Sequence, residues 1–144
     1  MQSWLAARLV SWVMARLREG DIRPTAMLDA DDVMLTFPGD NSWSGVFRGK
    51  EAHRRWLERF ARCGFQIFPD EVVCTGWPWR ATMCIRGHDF LRSPEGETVY
   101  ENRYVIWANV RWGRTTRLEV YEDTQKAKAL DLWLEANEGR LVAA

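Results

Sequence analysis

Tyr100-Glu101-Asn102-Arg103-Tyr104-Val105-Ile106-Trp107 is answered, after a turn at Trp112-Gly113, by Arg117-Leu118-Glu119-Val120-Tyr121-Glu122-Asp123-Thr124. This pairing decides the architecture. Both halves read as strands, because aromatic and β-branched residues recur and side chains alternate with a period of two. One face of the first strand carries Asn102, Tyr104, Ile106 and Ala108, and the other carries Glu101, Arg103, Val105 and Trp107. A face with a few placed polar groups among apolar ones suits a pocket wall. Ordinary core with satisfied polar groups is the alternative reading of the same face.

Outward from this hairpin, Gln66 to Trp77, Arg80 to Leu91, Glu97 to Arg111 and Arg114 to Asp123 read as four strands. Turns at Trp77-Pro78-Trp79, Ser93-Pro94-Glu95-Gly96 and Trp112-Gly113 join them. Before them, Leu5, Leu9, Trp12, Val13 and Leu17 recur at helical spacing and stop at Gly20-Asp21. Arg23 to Ala30 reads as a short second helix with proline near its start. Val33 to Phe37 is a strand ended by Pro38-Gly39-Asp40-Asn41, Glu51 to Arg62 a third helix and Thr124 to Ala136 a closing one. The order predicts one α+β domain over residues 1–144, with helices on one face of a curved, mostly antiparallel sheet.

Twenty basic residues balance twenty acidic ones, so the net charge of zero suggests neither nucleic acid nor an anionic membrane as partner. A local basic patch is still compatible with that balance. Cys63, Cys74 and Cys84 form no CxxC pair, and His53 and His88 are the two histidines, which excludes the usual zinc spacings. No metal or cofactor is implied. The unpaired cysteine count and the absence of an export signal read as a cytoplasmic protein, since Arg8, Arg16 and Arg18 interrupt the apolar N-terminus. Nine tryptophans are spread from end to end, which suits a bulky core, an interface or an aromatic-lined cavity.

Several segments together resemble the SnoaL-like group of the nuclear-transport-factor-2-like superfamily. They are Gly20-Asp21, Phe37-Pro38-Gly39, Phe47-Arg48-Gly49-Lys50-Glu51-Ala52, Tyr100-Glu101-Asn102-Arg103 and Tyr121-Glu122-Asp123-Thr124. The resemblance implies a cone-shaped α+β barrel around a pocket, the fold of ketosteroid isomerases, limonene-type epoxide hydrolases and polyketide cyclases. The isomerases' Asp base would fall on Phe37, with Asp40 close by, and their tyrosine donor near Trp12 or Val13. Of the epoxide hydrolases' Asp–Arg–Asp set, Asp123 matches one acid, while Asn102 and Tyr104 stand at the other places. The cyclases ask for one carboxylate in an apolar pocket, removing a proton next to a carbonyl. Asp123 meets that demand, with Asn102 and Tyr104 stabilising the enolate and His88 as a second acid or base.

Each candidate has a plainer role beside it. Asp123 with Thr124 is a ready helix cap, and Glu119, which shares a face with Tyr121 and Asp123, pairs readily with an arginine. His88 and Asp89 point to opposite faces of a strand and do not form a dyad. His53, beside Glu51, Arg54 and Arg55, reads as solvated, and the cysteines as small buried hydrophobes. Trp43 either stacks on a ligand at the cavity mouth or folds back on the core. Trp12, Phe37, Asp40, Trp43 and Tyr121 are the candidate substrate contacts. The face with Glu101, Arg103, Val105 and Trp107 suits a homodimer surface. The expectation is a pocket for a small apolar ligand, acted on without a cofactor by proton transfer. A non-catalytic binding or dimerisation module of the same fold is the alternative.

Overall fold

The computed structural model describes residues 2–143. Its elements run α1 (Gln2–Arg18), α2 (Arg23–Leu28), β1 (Asp29–Phe37), β2 (Gly45–Arg48), α3 (Lys50–Cys63), β3 (Gln66–Trp77), β4 (Arg80–Arg92), β5 (Thr98–Arg111), β6 (Arg114–Glu122) and α4 (Thr124–Ala143). Among the described residues one six-stranded sheet forms, in the order β2-β1-β6-β5-β4-β3, and only the β1–β6 pairing is parallel. Helices α1, α3 and α4 pack against β3, β1 and β5 and enclose the core on the concave side. This is the expected α+β layout.

The differences from the sequence reading are local. The strand expected from Val33 begins at Asp29, because pairing with β6 draws the end of the short second helix into the sheet. The edge strand β2 was not expected; Gly45–Arg48 is too short to show a periodic signal, and its pairing with β1 defines it. The closing helix continues past Ala136 through Asn137 and Gly139, both poor helix formers. Packing of Leu130, Leu134, Trp133 and Leu141 on the core carries it further than propensity does.

Two positions in the sheet have unusual backbone demands. Trp112 (φ 52°) and Gly113 (φ 76°) form the two-residue β5–β6 turn with both residues left-handed. An indole-bearing residue there costs about 1 kcal/mol that Gly or Asn would not. Pro69 sits on the edge strand β3, where a register shift lies between it and Glu71 and a missing N–H is tolerated.

Gly87 of β4 is a close approach rather than a turn. The Tyr104 hydroxyl crosses it and donates to the Phe68 carbonyl at 2.8 Å. A Cβ on Gly87 would stand 2.2 Å from that carbonyl and 2.3 Å from the Tyr104 hydroxyl. Gly87→Ala is therefore expected to lower stability by at least about 2 kcal/mol in urea unfolding, since neither backbone nor buried ring has room to yield. Tyr104→Phe should cost less, because it removes the bond without adding volume. Equal stability of wild type and Gly87→Ala would contradict this packing.

Candidate functional site

The concave side of the sheet and helices α1 and α3 enclose a cavity of about 280 Å³. Its wall is overwhelmingly apolar, with Val10 and Met14 from α1, Leu57 from α3, and Ile106 and Val120 from β5 and β6. The ionisable and phenolic groups within it are Asp29, His53, Asp89, Tyr100, Tyr104 and Glu122. They form two stations. Asp29 is paired with Thr115, and Thr115 with Val110, whereas Asp89 is paired with Asn102. Those register positions lie eight residues apart along β5, which places the stations toward opposite ends of the barrel.

The first station is the acid pair. Period-two alternation on β4 brings Ile85, Asp89 and Leu91 to the interior, and Asp89 is buried to 7% exposure. Its Oδ1 has no hydrogen-bond partner among the described residues. Burial, seconded by the neighbouring Glu122 carboxylate, pushes the Asp89 carboxyl up to about 8. Burial also raises Glu122, to about 7, against the hydrogen bond it accepts from Tyr100. That bond is 3.0 Å long, and the Tyr100 hydroxyl in turn accepts from the Asn102 amide at 2.8 Å. Burial and the charges of Asp89 and Glu122 push the Tyr100 phenol well above its ordinary range, so it stays a neutral donor.

The second station is a buried pair. Nδ1 of His53 lies 2.6 Å from Oδ2 of Asp29, and both side chains are almost wholly inaccessible. Its origin is the inner stripe of α3, where His53, Leu57 and Phe60 recur at helical spacing. Among the described residues no three His, Cys, Asp or Glu side chains stand together as a metal site.

No family model and no curated protein sequence matches the chain. Solved structures do. An NTF2-like protein from Burkholderia xenovorans LB400 is 23% identical over 86% of this chain and 92% of its own, with a TM-score of 0.63. TerC, co-crystallised with polyporic acid, is 21% identical over 97% of this chain and 98% of its own, with a TM-score of 0.64. SalBIII, an epoxide hydrolase/cyclase-like enzyme of pyran ring formation in the polyether salinomycin, is 13% identical over 88% of this chain and 97% of its own, with a TM-score of 0.64. The chain has the NTF2-like fold.

Within that fold the expected site residues separate. Phe37, Trp43 and Tyr104 line the cavity. Trp43 has folded back on the core, edge-on to Trp56 and Phe65, with the Arg59 guanidinium 3.9 Å over its ring. The Tyr104 hydroxyl is committed to Phe68 rather than to a ligand. Asn102 is buried beside the site but bonds Tyr100 and the backbone of Asp123.

The expected base, Asp123, is exposed and outside the cavity; its Oδ1 accepts the amides of Gln125 (3.1 Å) and Lys126 (3.4 Å), which makes it the cap of α4. Tyr121 is likewise on the outer face, donating to Glu119. The register is the reason: Leu118, Val120 and Glu122 turn inward, so the odd-numbered set turns out. His88 is on the outer face too, stacked on Phe68 and 2.9 Å from Asp70. Asp40 pairs with Lys128 at the surface, and Trp12 is half exposed on the outer side of α1.

His53, expected in solvent, is buried because its own side of α3 faces the core while Glu51, Arg54 and Arg55 face out. Asp89 and Glu122 were missed although Ile85, Leu91, Leu118 and Val120 mark their faces as the inner ones.

A carboxyl raised by burial stabilises the fold less as pH climbs from its unfolded value toward its folded one, because the unfolded chain gives up the proton first. Between about pH 4 and 8, Asp89 therefore works increasingly against folding. Asp89→Asn is expected to gain stability over wild type as pH rises, by about 4 kcal/mol more at pH 8.5 than at pH 5, read from melting curves. The same shift at both pH values would show that Asp89 titrates normally.

Proposed function

We propose that the cavity takes one small, mostly apolar, carbonyl-bearing molecule and that Asp89 and Glu122 move a proton on it without a cofactor. The observation that carries the reading is the unlike pair of carboxyls in an otherwise apolar chamber. One has an oxygen, Oδ1 of Asp89, without a hydrogen-bond partner among the described residues and is raised to about 8; the other is held by Tyr100 and raised to about 7. Two acids whose environments separate their affinities for a proton are suited to opposite roles. Glu122, the more acidic of the pair, takes the proton from the carbon next to the carbonyl. Asp89, still protonated, donates its hydrogen bond to the oxygen on which charge develops.

The electron pair of the broken C–H bond then delocalises as an enolate. Return of the proton from Glu122 to a different carbon completes an isomerisation. Attack of the enolate carbon on a second carbonyl of the same molecule completes a cyclisation, with the proton passing to the new alkoxide. Tyr100 holds the ionised form of Glu122 in place. The cavity size lies at the low end of the range for ligand sites, which favours a compact ring compound over a long polycyclic one. Among structures of the same fold, TerC was co-crystallised with polyporic acid and SalBIII is an epoxide hydrolase/cyclase-like enzyme of pyran ring formation, which supports a small-molecule reading of the cavity.

A thermal-shift screen of small cyclic ketones, epoxides, lactones and aromatic acids identifies the ligand class, since binding to the native state alone raises the melting point. On a compound that is turned over, Glu122→Gln is expected to lower kcat by about a hundredfold or more, with Asp123→Asn nearly unchanged. Activity should peak between pH 7 and 8: below about 7 Glu122 becomes protonated, and above about 8 Asp89 loses the donated proton. Full turnover by Glu122→Gln removes the assignment.

We also propose that the outer sheet face forms a homodimer, with exposed Val73, Val105, Trp107 and Tyr121 as its apolar centre. Light scattering should give twice the chain mass for wild type and the single mass for Trp107→Glu. A monomeric wild type at high concentration ends that reading.

A further inference from the structure

The end of the barrel at which the cavity opens differs from the rest of the surface. Among the residues that line the cavity, the exposed ones are Leu9 of α1 and Gly113 of the β5–β6 turn, which fixes the mouth there. Around it stand large apolar side chains in the open. Trp77 and Trp79 stack at 5.6 Å on the β3–β4 turn, and Trp112, 78% exposed, lies 6.4 Å from Trp79. The Gln2 side chain donates to the Gly76 carbonyl, which sets Trp4 and Leu5 of α1 beside that turn. Arg114 donates to the Met27 carbonyl at 2.7 Å, which holds the exposed Met27 beside Trp112. Leu5, Leu9 and Trp12 continue the band along one exposed stripe of α1.

The charge of this end is predominantly basic, with Asp31 and Asp32 at the start of β1 as exposed acids beside it. Residues 2–18, 23–28, 72–88 and 102–118 contain no Asp or Glu, and they supply Arg8, Arg80, Arg111 and Arg114. Among the described residues none of these four guanidiniums is in an ion pair. The patch continues into a shallow groove on the outer sheet face, where Arg48, Arg80, Arg111 and Arg117 face a single acid, Asp32. The net charge of zero conceals the patch, because most of the compensating acids lie elsewhere in the fold.

We propose that this end docks on an anionic lipid surface, with the cavity mouth turned toward the bilayer. Indoles on protruding turns suit the headgroup region, where their bodies leave water and their N–H groups stay solvated. Unpaired arginines beside them bind lipid phosphates. Trp112 is held left-handed at the β5–β6 turn, where the local backbone favours a smaller residue, and its exposed ring is free to enter the interface. An apolar ligand dissolved in the membrane then reaches Leu9 and Gly113 without crossing water. That last step rests on the ligand class proposed above, whereas docking itself does not. Single-stranded nucleic acid also uses arginines and stacked aromatics. Here exposed Leu5, Leu9 and Met27 accompany the indoles, so the surface is an apolar band rather than a base-stacking track.

The test is co-sedimentation of the full chain with vesicles of phosphatidylcholine, alone or mixed with phosphatidylglycerol, at low salt. Binding is expected to the mixed vesicles, with a blue shift of tryptophan emission, and at least about tenfold weaker to the neutral ones. Trp79→Ser with Trp112→Asn, and separately Arg80→Glu with Arg111→Glu, should each weaken binding by about tenfold or more while the melting point holds. Lys126→Glu, on α4, should bind as wild type does. Failure to bind the mixed vesicles, or binding that both tip variants retain, overturns the proposal. So does binding of oligodeoxythymidylate in place of vesicles. Docking without turnover of any ketone would leave the surface assigned and count only against the chemistry of Asp89 and Glu122.

Discussion

The buried amide of Asn102 holds the closing end of the barrel together. Its Nδ2 donates to both the Tyr100 hydroxyl and the Asp123 carbonyl, and its Oδ1 accepts from the backbone amides of Arg103 and Asp123. One side chain thus binds the middle of β5 to the junction where β6 ends and α4 begins. An amide is the group that can do this, since it offers donors and an acceptor without a charge to bury. With the junction fixed, Glu122 is the last strand residue and faces in, while Asp123 turns out and caps the helix. The division of labour between two adjacent acids follows from that single clamp. The same donor also sets the hydroxyl of Tyr100 so that its own proton goes to Glu122.

Burying two carboxyls in one apolar chamber works against folding, and the surrounding structure offsets it. The stacked rings of Phe60, Phe65 and Trp56, with Trp43 edge-on to them, form a rigid aromatic wall on the helical side. On the sheet side Tyr104 is pinned across Gly87 to the opposite strand. Such walls do not collapse onto the acids, so the cavity persists and Asp89 keeps an unpartnered oxygen. A core that admitted water would let both carboxyls ionise nearer their ordinary values, whereas one that closed on the pair would raise them further and leave no room for a ligand.

The fold was legible in the sequence because its strands are long and their alternation survives many residues, as in β4 and β5. The face of β5 was read correctly, since Tyr104, Ile106 and Ala108 are unambiguous. The face of β6 was inverted. Tyr121 and Asp123 carry more recognisable chemistry than Leu118 and Val120, but burial follows the apolar residues, and Glu122 goes with them. His53 was misplaced for a related reason: charged neighbours in sequence point to the other side of a helix. Asp29 escaped notice because its surroundings read as the end of a short helix, and only the long-range pairing of β1 with β6 makes it a strand residue facing His53. What a sequence shows poorly is which of two plausible faces meets a partner distant along the chain.

The tryptophans show the same division between composition and place. Trp43, Trp56 and Trp133 pack into the core, and Trp107 lies on the outer sheet. Trp4, Trp77, Trp79 and Trp112 gather at the mouth, and Trp12 continues the exposed stripe of α1 that reaches it. An indole in the core is explained by burial alone. One at an exposed turn is not, because the hydrophobic effect opposes leaving it in water. The concentration of these residues around the mouth therefore calls for something that covers them, and the cavity that opens among them has an overwhelmingly apolar wall. Asp89 and Glu122 sit at the far end, eight register positions along β5 from the buried Asp29–His53 pair, which lies nearer the mouth. A ligand arriving from an apolar phase thus passes an oily rim and an acid already paired with His53 before it meets the two carboxyls of the floor.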